Sequence, residues 1–80
     1  MDDAQIVERI DALVREEHQL ERSHTDQPLD AEEQERLRHL EEQLDLAWDL
    51  LRRRRARRAA GGNPDEVELR PSDVVERYRQ

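Results

Sequence analysis

The sequence predicts an all-α fold, in which two long helices form an antiparallel hairpin and a C-terminal tail follows. Two apolar stripes and a short connector support this prediction. The longer stripe has leucine and alanine at alternating steps of three and four, which places them on one side of a helix: Leu37, Leu40, Leu44, Ala47 and Leu51. A shorter stripe precedes it: Ile6, Ile10, Leu13 and Leu20. The polar connector between the stripes, SHTDQPL, is short enough to make the two helices antiparallel.

Capping signals predict where each helix begins and ends. Asp2 and Gln5 have capping-box spacing, so we expect the first helix over about residues 3–22. Asp30 and Glu33 repeat this spacing, and the glycines at 61 and 62 supply a stop, so we expect the second helix over about residues 30–60. Residues 1–62 then form the hairpin.

The tail, residues 63–80, combines two kinds of pattern. Val67 and Leu69 alternate with acidic residues, which predicts an extended piece. Ser72 or Asp73 is suited to cap a short helical turn through Val74, Val75 and Tyr78. We expect this tail to dock on the hairpin or on a partner.

Composition argues against most enzyme classes. The chain has 80 residues and no cysteine, so disulfides and thiolate metal sites are excluded. A two-helix chain has no ligand-sized cleft and this one has no glycine-rich phosphate loop, so we expect no enzyme activity, no cofactor and no small-molecule substrate. No apolar run approaches the roughly 20 residues that cross a bilayer, and no signal peptide is recognisable. We therefore expect a cytoplasmic protein without membrane contact.

Six arginines in seven positions are the strongest local signal: Arg52, Arg53, Arg54, Arg55, Arg57 and Arg58. They predict contact with an anion or an acidic partner, including RNA or DNA. The other interpretation is a helix end that complements the helix dipole and meets the acidic tail. The net charge of -7 and the absence of an aromatic residue in the run favour this second interpretation over nucleic-acid binding.

A metal site is the weakest hypothesis. Glu21 and His24 have the Glu-x-x-His spacing of di-iron bundles, and Glu33 offers a further carboxylate. However, His24 lies at the connector and the second helix has no matching motif. Because a metal site needs fixed ligands, we expect none here.

Apolar residues away from the two stripes predict an interface. At about 100° per residue, Leu46 and Leu50 lie roughly 140° and 100° from the centre of their stripe, too far to share one partner helix. Val7 and Val14 flank the first stripe, and Trp48 lies about 60° from the centre of the second. Either a second chain covers these residues in a four-helix bundle, or the tail does so with Val67, Leu69, Val74, Val75 and Tyr78.

The leading hypothesis is thus a non-enzymatic protein–protein interaction module that self-associates as a dimer, with Val7, Val14, Leu46, Trp48 and Leu50 as the candidate interface. A different protein partner is also compatible with these residues. The alternative is a nucleic-acid-associated accessory protein that uses the arginine run 52–58.

Several segments together resemble a known family. LVREEHQLE in the first helix, ERLRHLEEQLDLAWDLLRRRRARR in the second, the GGNPDE turn and the closing RPSDVVERYRQ are similar to a family of short actinobacterial proteins called domain of unknown function 2630. The most specific parts are LEEQLDLAWDLLRRRRARR and VVERYRQ. The resemblance implies a compact helical protein with no assigned activity, and it transfers no site residues.

Overall fold

A computed structural model describes residues 1–22 and 26–71 of the chain, and two helices account for most of them. Helix α1 spans Asp3–Arg22 and helix α2 spans Ala31–Ala59. A single 3₁₀ turn, Pro64–Glu66, follows α2, and the described residues contain no strand. The prediction of an all-α hairpin is confirmed.

Both helices begin at the predicted capping boxes. In α1, Gln5 N donates to Asp2 Oδ1 at 2.8 Å and Asp2 N donates to Gln5 Oε1 at 2.9 Å. In α2, Glu33 N donates to Asp30 Oδ1 at 2.8 Å and Asp30 N donates to Glu33 Oε1 at 3.1 Å. Each pair satisfies two backbone N–H groups that have no partner within the helix.

Two glycines end α2 in a Schellman motif. Gly62 N donates to Arg57 O at 2.9 Å, and Gly61 N donates to Arg58 O at 3.0 Å. Gly61 has a φ of 84°, which only glycine adopts without steric cost. The chain therefore reverses here and runs back beside α2.

The start of the tail differs from the prediction. Asn63 Oδ1 accepts from Asp65 N at 3.0 Å, and Pro64 occupies the first turn, so a 3₁₀ turn forms before the chain extends. Val67 then has extended backbone angles, φ -79° and ψ 123°. The predicted helical turn through Val74, Val75 and Tyr78, with its cap at Ser72 or Asp73, lies outside the described residues.

Contacts at both ends show that the helices are antiparallel. Near the connector, Arg36 of α2 forms an ion pair with Glu16 of α1. At the other end, Arg54 Nε lies 2.7 Å from Asp3 Oδ1. The end of α2 therefore lies beside the start of α1, as predicted.

The core lies between the helices toward the Asp3 end. Its central cluster contains Ile6, Ile10, Ala47, Leu50 and Leu51, against which Val14, Leu44 and Val67 pack. The predicted stripe of α2 is buried at Leu40, Ala47 and Leu51 and half-buried at Leu37 and Leu44.

The prediction that Leu50 points away from the hairpin seam was wrong. Leu50 belongs to the same buried cluster as Ile6 and Ile10, and Leu46 is also buried. The buried residues of α2 extend further around the helix than α1 alone can cover. The returning tail packs beside α1 and covers the additional residues. Leu69 of the tail, together with Met1, lines a shallow groove over Leu46 and Leu50.

The burial of Leu51 predicts a large loss of stability on truncation. Leu51 is 0% exposed, so Leu51→Ala leaves a cavity and should lower the free energy of unfolding by about 2–5 kcal/mol. Leu37→Ala removes the same atoms from a half-buried site and should cost less. Urea denaturation of both variants measures the difference, and equal losses would contradict this assignment of the core.

Candidate functional site

Arg54 is the buried centre of a polar cluster that joins three segments. Arg54 is only 4% exposed to solvent. The guanidinium donates from Nε to Asp3 Oδ1 at 2.7 Å, from Nη1 to Pro64 O at 3.0 Å and from Nη2 to Asp65 Oδ1 at 3.1 Å. The start of α1 and the 3₁₀ turn are thus both held to α2 through one side chain.

Three neighbouring arginines make further contacts of this kind. Arg58 Nη2 donates to Asp3 Oδ2 at 3.0 Å, and Arg57 Nη1 lies 3.5 Å from Glu66 Oε2. Arg53 donates from Nε to Asp49 Oδ2 at 3.0 Å, and its Nη2 donates to the backbone carbonyl of Glu68. These arginines hold the tail and the first turn of α1 against α2.

The remaining two arginines of the run differ from these four. Arg52 and Arg55 are exposed, and neither forms an ion pair with any residue in the part of the chain that the structure describes. The run is therefore not one uniform cationic patch. Its members divide into a buried residue, three that contact the tail or α1, and two that face solvent.

The distinct role of Arg54 within the run was not predicted from the sequence. The signal that identifies it is its spacing. Leu40, Ala47 and Arg54 are seven residues apart, so Arg54 continues the line of the buried stripe. A buried arginine needs a partner, and the carboxylate of Asp3 supplies one.

The ion pair with Arg54 lowers the pKa of Asp3. The largest cause is the hydrogen bond from Arg54, partial burial of the carboxyl opposes it, and the hydrogen bond from Arg58 adds to the lowering. The same hydrogen bond to Asp3 raises the pKa of Arg54. Each of these two groups therefore stabilises the charged form of the other.

A second feature is an apolar surface that we call the Trp48 face, made of Val7, Val14, Leu44 and Trp48. Trp48 is 42% exposed and Val7 is 40% exposed. Val14 and Leu44 are half-buried and pack on the edge of the core.

Helix geometry places the Trp48 face opposite the tail. At about 100° per residue, Trp48 lies about 160° from Leu50 around α2, and Val7 lies about 160° from Arg9 around α1. Leu50 and Arg9 line the groove beside Leu69 of the tail. The helices therefore have one side under the tail and one apolar side exposed to solvent.

The five candidate interface residues thus divide between two sides of the hairpin. Leu46 and Leu50 are covered by the chain's own residues, whereas Val7, Val14 and Trp48 lie on the opposite side. Helix geometry places Leu44, a residue of the predicted seam, on the same side as this second group.

The described residues hold no group of three or more His, Asp or Glu side chains placed to bind a metal ion. His24, on which the metal hypothesis depended, lies outside those residues. Neither α1 nor α2 combines the length and the apolar composition that a membrane-crossing helix requires.

Comparison with known proteins confirms the family resemblance. The model of a family described as "Protein of unknown function (DUF2630)" matches residues 2–80. Uncharacterised proteins of Mycobacterium bovis and Mycobacterium tuberculosis are 55% identical to the chain over 49 residues. That match covers 61% of this chain and 56% of each relative, so it spans little more than half of their length. No solved structure matches the chain.

The position of Arg54 predicts that its removal loosens the tail. Arg54→Gln should speed hydrogen exchange at the amides of Glu66 and Val67, which donate to Asn63 O and Pro64 O in the 3₁₀ turn. Arg52→Gln changes an exposed residue of the same run and should leave this exchange unchanged. Equal exchange rates in the two variants would show that Arg54 does not hold the turn.

The lowered pKa of Asp3 predicts a loss of stability in acid. The contribution of Asp3 is complete above its ordinary pKa of 3.8 and is lost as the pH falls through the lower pKa of the folded state. Asp3→Asn should therefore reduce stability at neutral pH and flatten its dependence on pH below about 4. Asp11→Asn, at an exposed site of α1, is the control. Thermal melts followed by circular dichroism measure both, and an unchanged acid profile in Asp3→Asn would contradict this role.

Proposed function

We propose that this chain, which belongs to the DUF2630 family of proteins of unknown function, is a non-enzymatic protein–protein interaction module that self-associates. The observation that carries the proposal is the Trp48 face, an apolar surface built from both helices on the side away from the tail. The contact we propose is between the Trp48 faces of two copies.

The residue types on this face support an interface. Burying the exposed parts of Trp48 and Val7 removes apolar surface from water, at roughly 25 cal/mol per Å². Tryptophan is enriched among residues that dominate binding energy, particularly where neighbouring apolar side chains exclude water. Val14 and Leu44 supply such neighbours because they already pack on the core edge.

The size of the chain supports a second copy as the partner. A domain of this size commonly gains only about 3–5 kcal/mol from its core, and small scaffolds often add stability by oligomerising. Stacking two hairpins through their Trp48 faces makes a four-helix bundle, which buries the apolar side that one hairpin leaves in water.

The electrostatics of the described residues support a non-enzymatic role. Their shifted pKa values belong to two sets of ion pairs, Asp3 with Arg54 and Glu35 with Arg38, in which each partner stabilises the charged form of the other. Both sets have a structural explanation. The pair of Asp3 and Arg54 holds the start of α1 against α2. The pair of Glu35 and Arg38 joins residues three apart on the surface of α2.

The arginine contacts weaken the support for nucleic-acid binding. Phosphate binding depends on cationic side chains that can exchange their counterions for the backbone of the nucleic acid. Arg53, Arg54, Arg57 and Arg58 already contact acidic residues of the chain. The arginine run therefore offers phosphates less cationic surface than its sequence suggests.

Self-association through the Trp48 face predicts a specific response to charge. Trp48→Glu places a carboxylate at the centre of the contact and should raise the dissociation constant of the self-associated form by tenfold or more, which corresponds to about 1.4 kcal/mol. Sedimentation velocity over a range of concentrations measures the constant.

His39→Glu is the matched control because it adds the same charge at an exposed site of α2 about 180° from Trp48. This variant should self-associate like the wild type. A wild-type chain that stays monomeric at every concentration would refute the proposal. If both variants weakened self-association equally, the contact would not lie at the Trp48 face.

A further inference from the structure

We infer that the two copies pack α2 against α2 in opposite directions across a two-fold axis at Trp48, so that Glu41 of each copy pairs with Arg55 of the other. This inference rests on the proposed self-association and adds to it the geometry of the contact and the residues that select it.

The first support is a line of three residues on α2. Glu41, Trp48 and Arg55 are seven residues apart, so they lie along nearly the same side of the helix, about two turns from one another. At 1.5 Å per residue, Glu41 and Arg55 each lie about 10 Å from Trp48 in opposite directions along the axis of α2.

The second support is that these two charges have no ion-pair partner among the residues that the structure describes. Arg55 is exposed and Glu41 is half-buried. Neither forms an ion pair with another residue in the ranges 1–22 and 26–71. Both are therefore available to a second chain, unlike Arg54 or Arg58.

Symmetry then selects the direction of packing. A two-fold axis perpendicular to α2 at Trp48 places each residue opposite the one equally far on the other side of Trp48 in the second copy. Glu41 lies seven residues before Trp48 and Arg55 lies seven residues after it. Because they carry opposite charges, the two-fold rotation forms two Glu41–Arg55 pairs. Packing α2 in parallel with its mate would instead place Glu41 beside Glu41 and Arg55 beside Arg55, which is repulsive.

The position of Val7 agrees with this axis. Ile6 and Ala47 share the core cluster, and because the helices run in opposite directions, one step along each places Val7 and Trp48 about 3 Å apart along the axis. An axis that crosses α2 at Trp48 therefore also crosses α1 close to Val7. Both exposed apolar residues of the Trp48 face then meet their own counterparts at the centre of the contact.

A competing arrangement stacks α1 of one copy on α2 of the other. It also buries the Trp48 face, with Trp48 against Val7 of the second copy. It places Glu41 near the level of Val14 of the second copy, however, which carries no charge. Arg55 then lies near the start of α1, where Asp3 already accepts from Arg54 and Arg58. The Glu41–Arg55 pairs therefore favour the arrangement with α2 on α2.

Charge reversal tests the pairing in the full chain. Glu41→Arg and Arg55→Glu should each raise the dissociation constant about tenfold, because each creates two like-charge contacts per dimer. An equimolar mixture of the two variants should form heterodimers with near wild-type affinity, since every pair across the axis is then of opposite sign. The double variant should likewise recover self-association. Sedimentation velocity measures all four samples, and circular dichroism checks that each remains helical.

The outcomes separate this inference from the proposed function. If the wild type self-associates and Trp48→Glu disrupts it, but neither charge reversal weakens it or the mixture fails to recover it, the α2-on-α2 pairing is wrong and self-association stands. If the wild type is monomeric, both are wrong.

A crosslinking experiment gives an independent measurement, because the chain has no cysteine of its own. Trp48→Cys should form a disulfide-linked dimer under mild oxidation, and His39→Cys, on the opposite side of α2, should not. Crosslinking that appears only when Trp48→Cys is mixed with Val7→Cys would identify the competing arrangement and overturn the inference.

Discussion

The hydrogen bonds of Arg54 hold together segments that are far apart in the sequence. Asp3 lies 51 residues before Arg54 and Asp65 lies 11 residues after it, yet both accept from its guanidinium. A buried guanidinium without partners would be strongly unfavourable, so the carboxylates must be present whenever Arg54 is buried. This requirement ties the first turn of α1 and the 3₁₀ turn, from which the tail continues, to the same point on α2.

The path of the tail in turn decides which apolar surface remains exposed. Val67 packs on the core cluster, and Leu69 lies beside the groove over Leu46 and Leu50. That side of the helix pair is therefore covered within one chain. The opposite side keeps Val7 and Trp48 in water, so the apolar surface that we propose for self-association lies away from the docked tail.

A run of identical residues can serve several purposes because a helix distributes its neighbours around its axis. Four consecutive arginines, Arg52 to Arg55, point in four directions about 100° apart. One is buried against Asp3, one contacts Asp49 and the tail, and two face solvent. The sequence left two interpretations of the run, an anion-binding surface and a helix end that meets the acidic tail. The angular positions of its members explain why their contacts differ.

Much of the fold was predictable from the sequence because the interactions that form its helices are local. Capping boxes and the Schellman motif join residues at most five apart, and the spacing of leucines reports the side of each helix that faces the other. The same spacing placed Trp48 beside the buried stripe. It also puts Arg54 in line with Leu40 and Ala47, although the burial of Arg54 was not predicted.

The tertiary structure alone decided which apolar side the tail covers and which carboxylate neutralises Arg54. The chain has 21 acidic residues, and no periodicity in the sequence distinguishes Asp3 from the other carboxylates that precede α2. Its pairing with Arg54 arises because the antiparallel arrangement brings the start of α1 to the end of α2. Leu50 became a core residue for a similar reason, since the reversal at Gly61 returns the tail over it. The sequence by itself thus determined the helices, and contacts between residues far apart in the chain determined the surface that the hairpin leaves exposed.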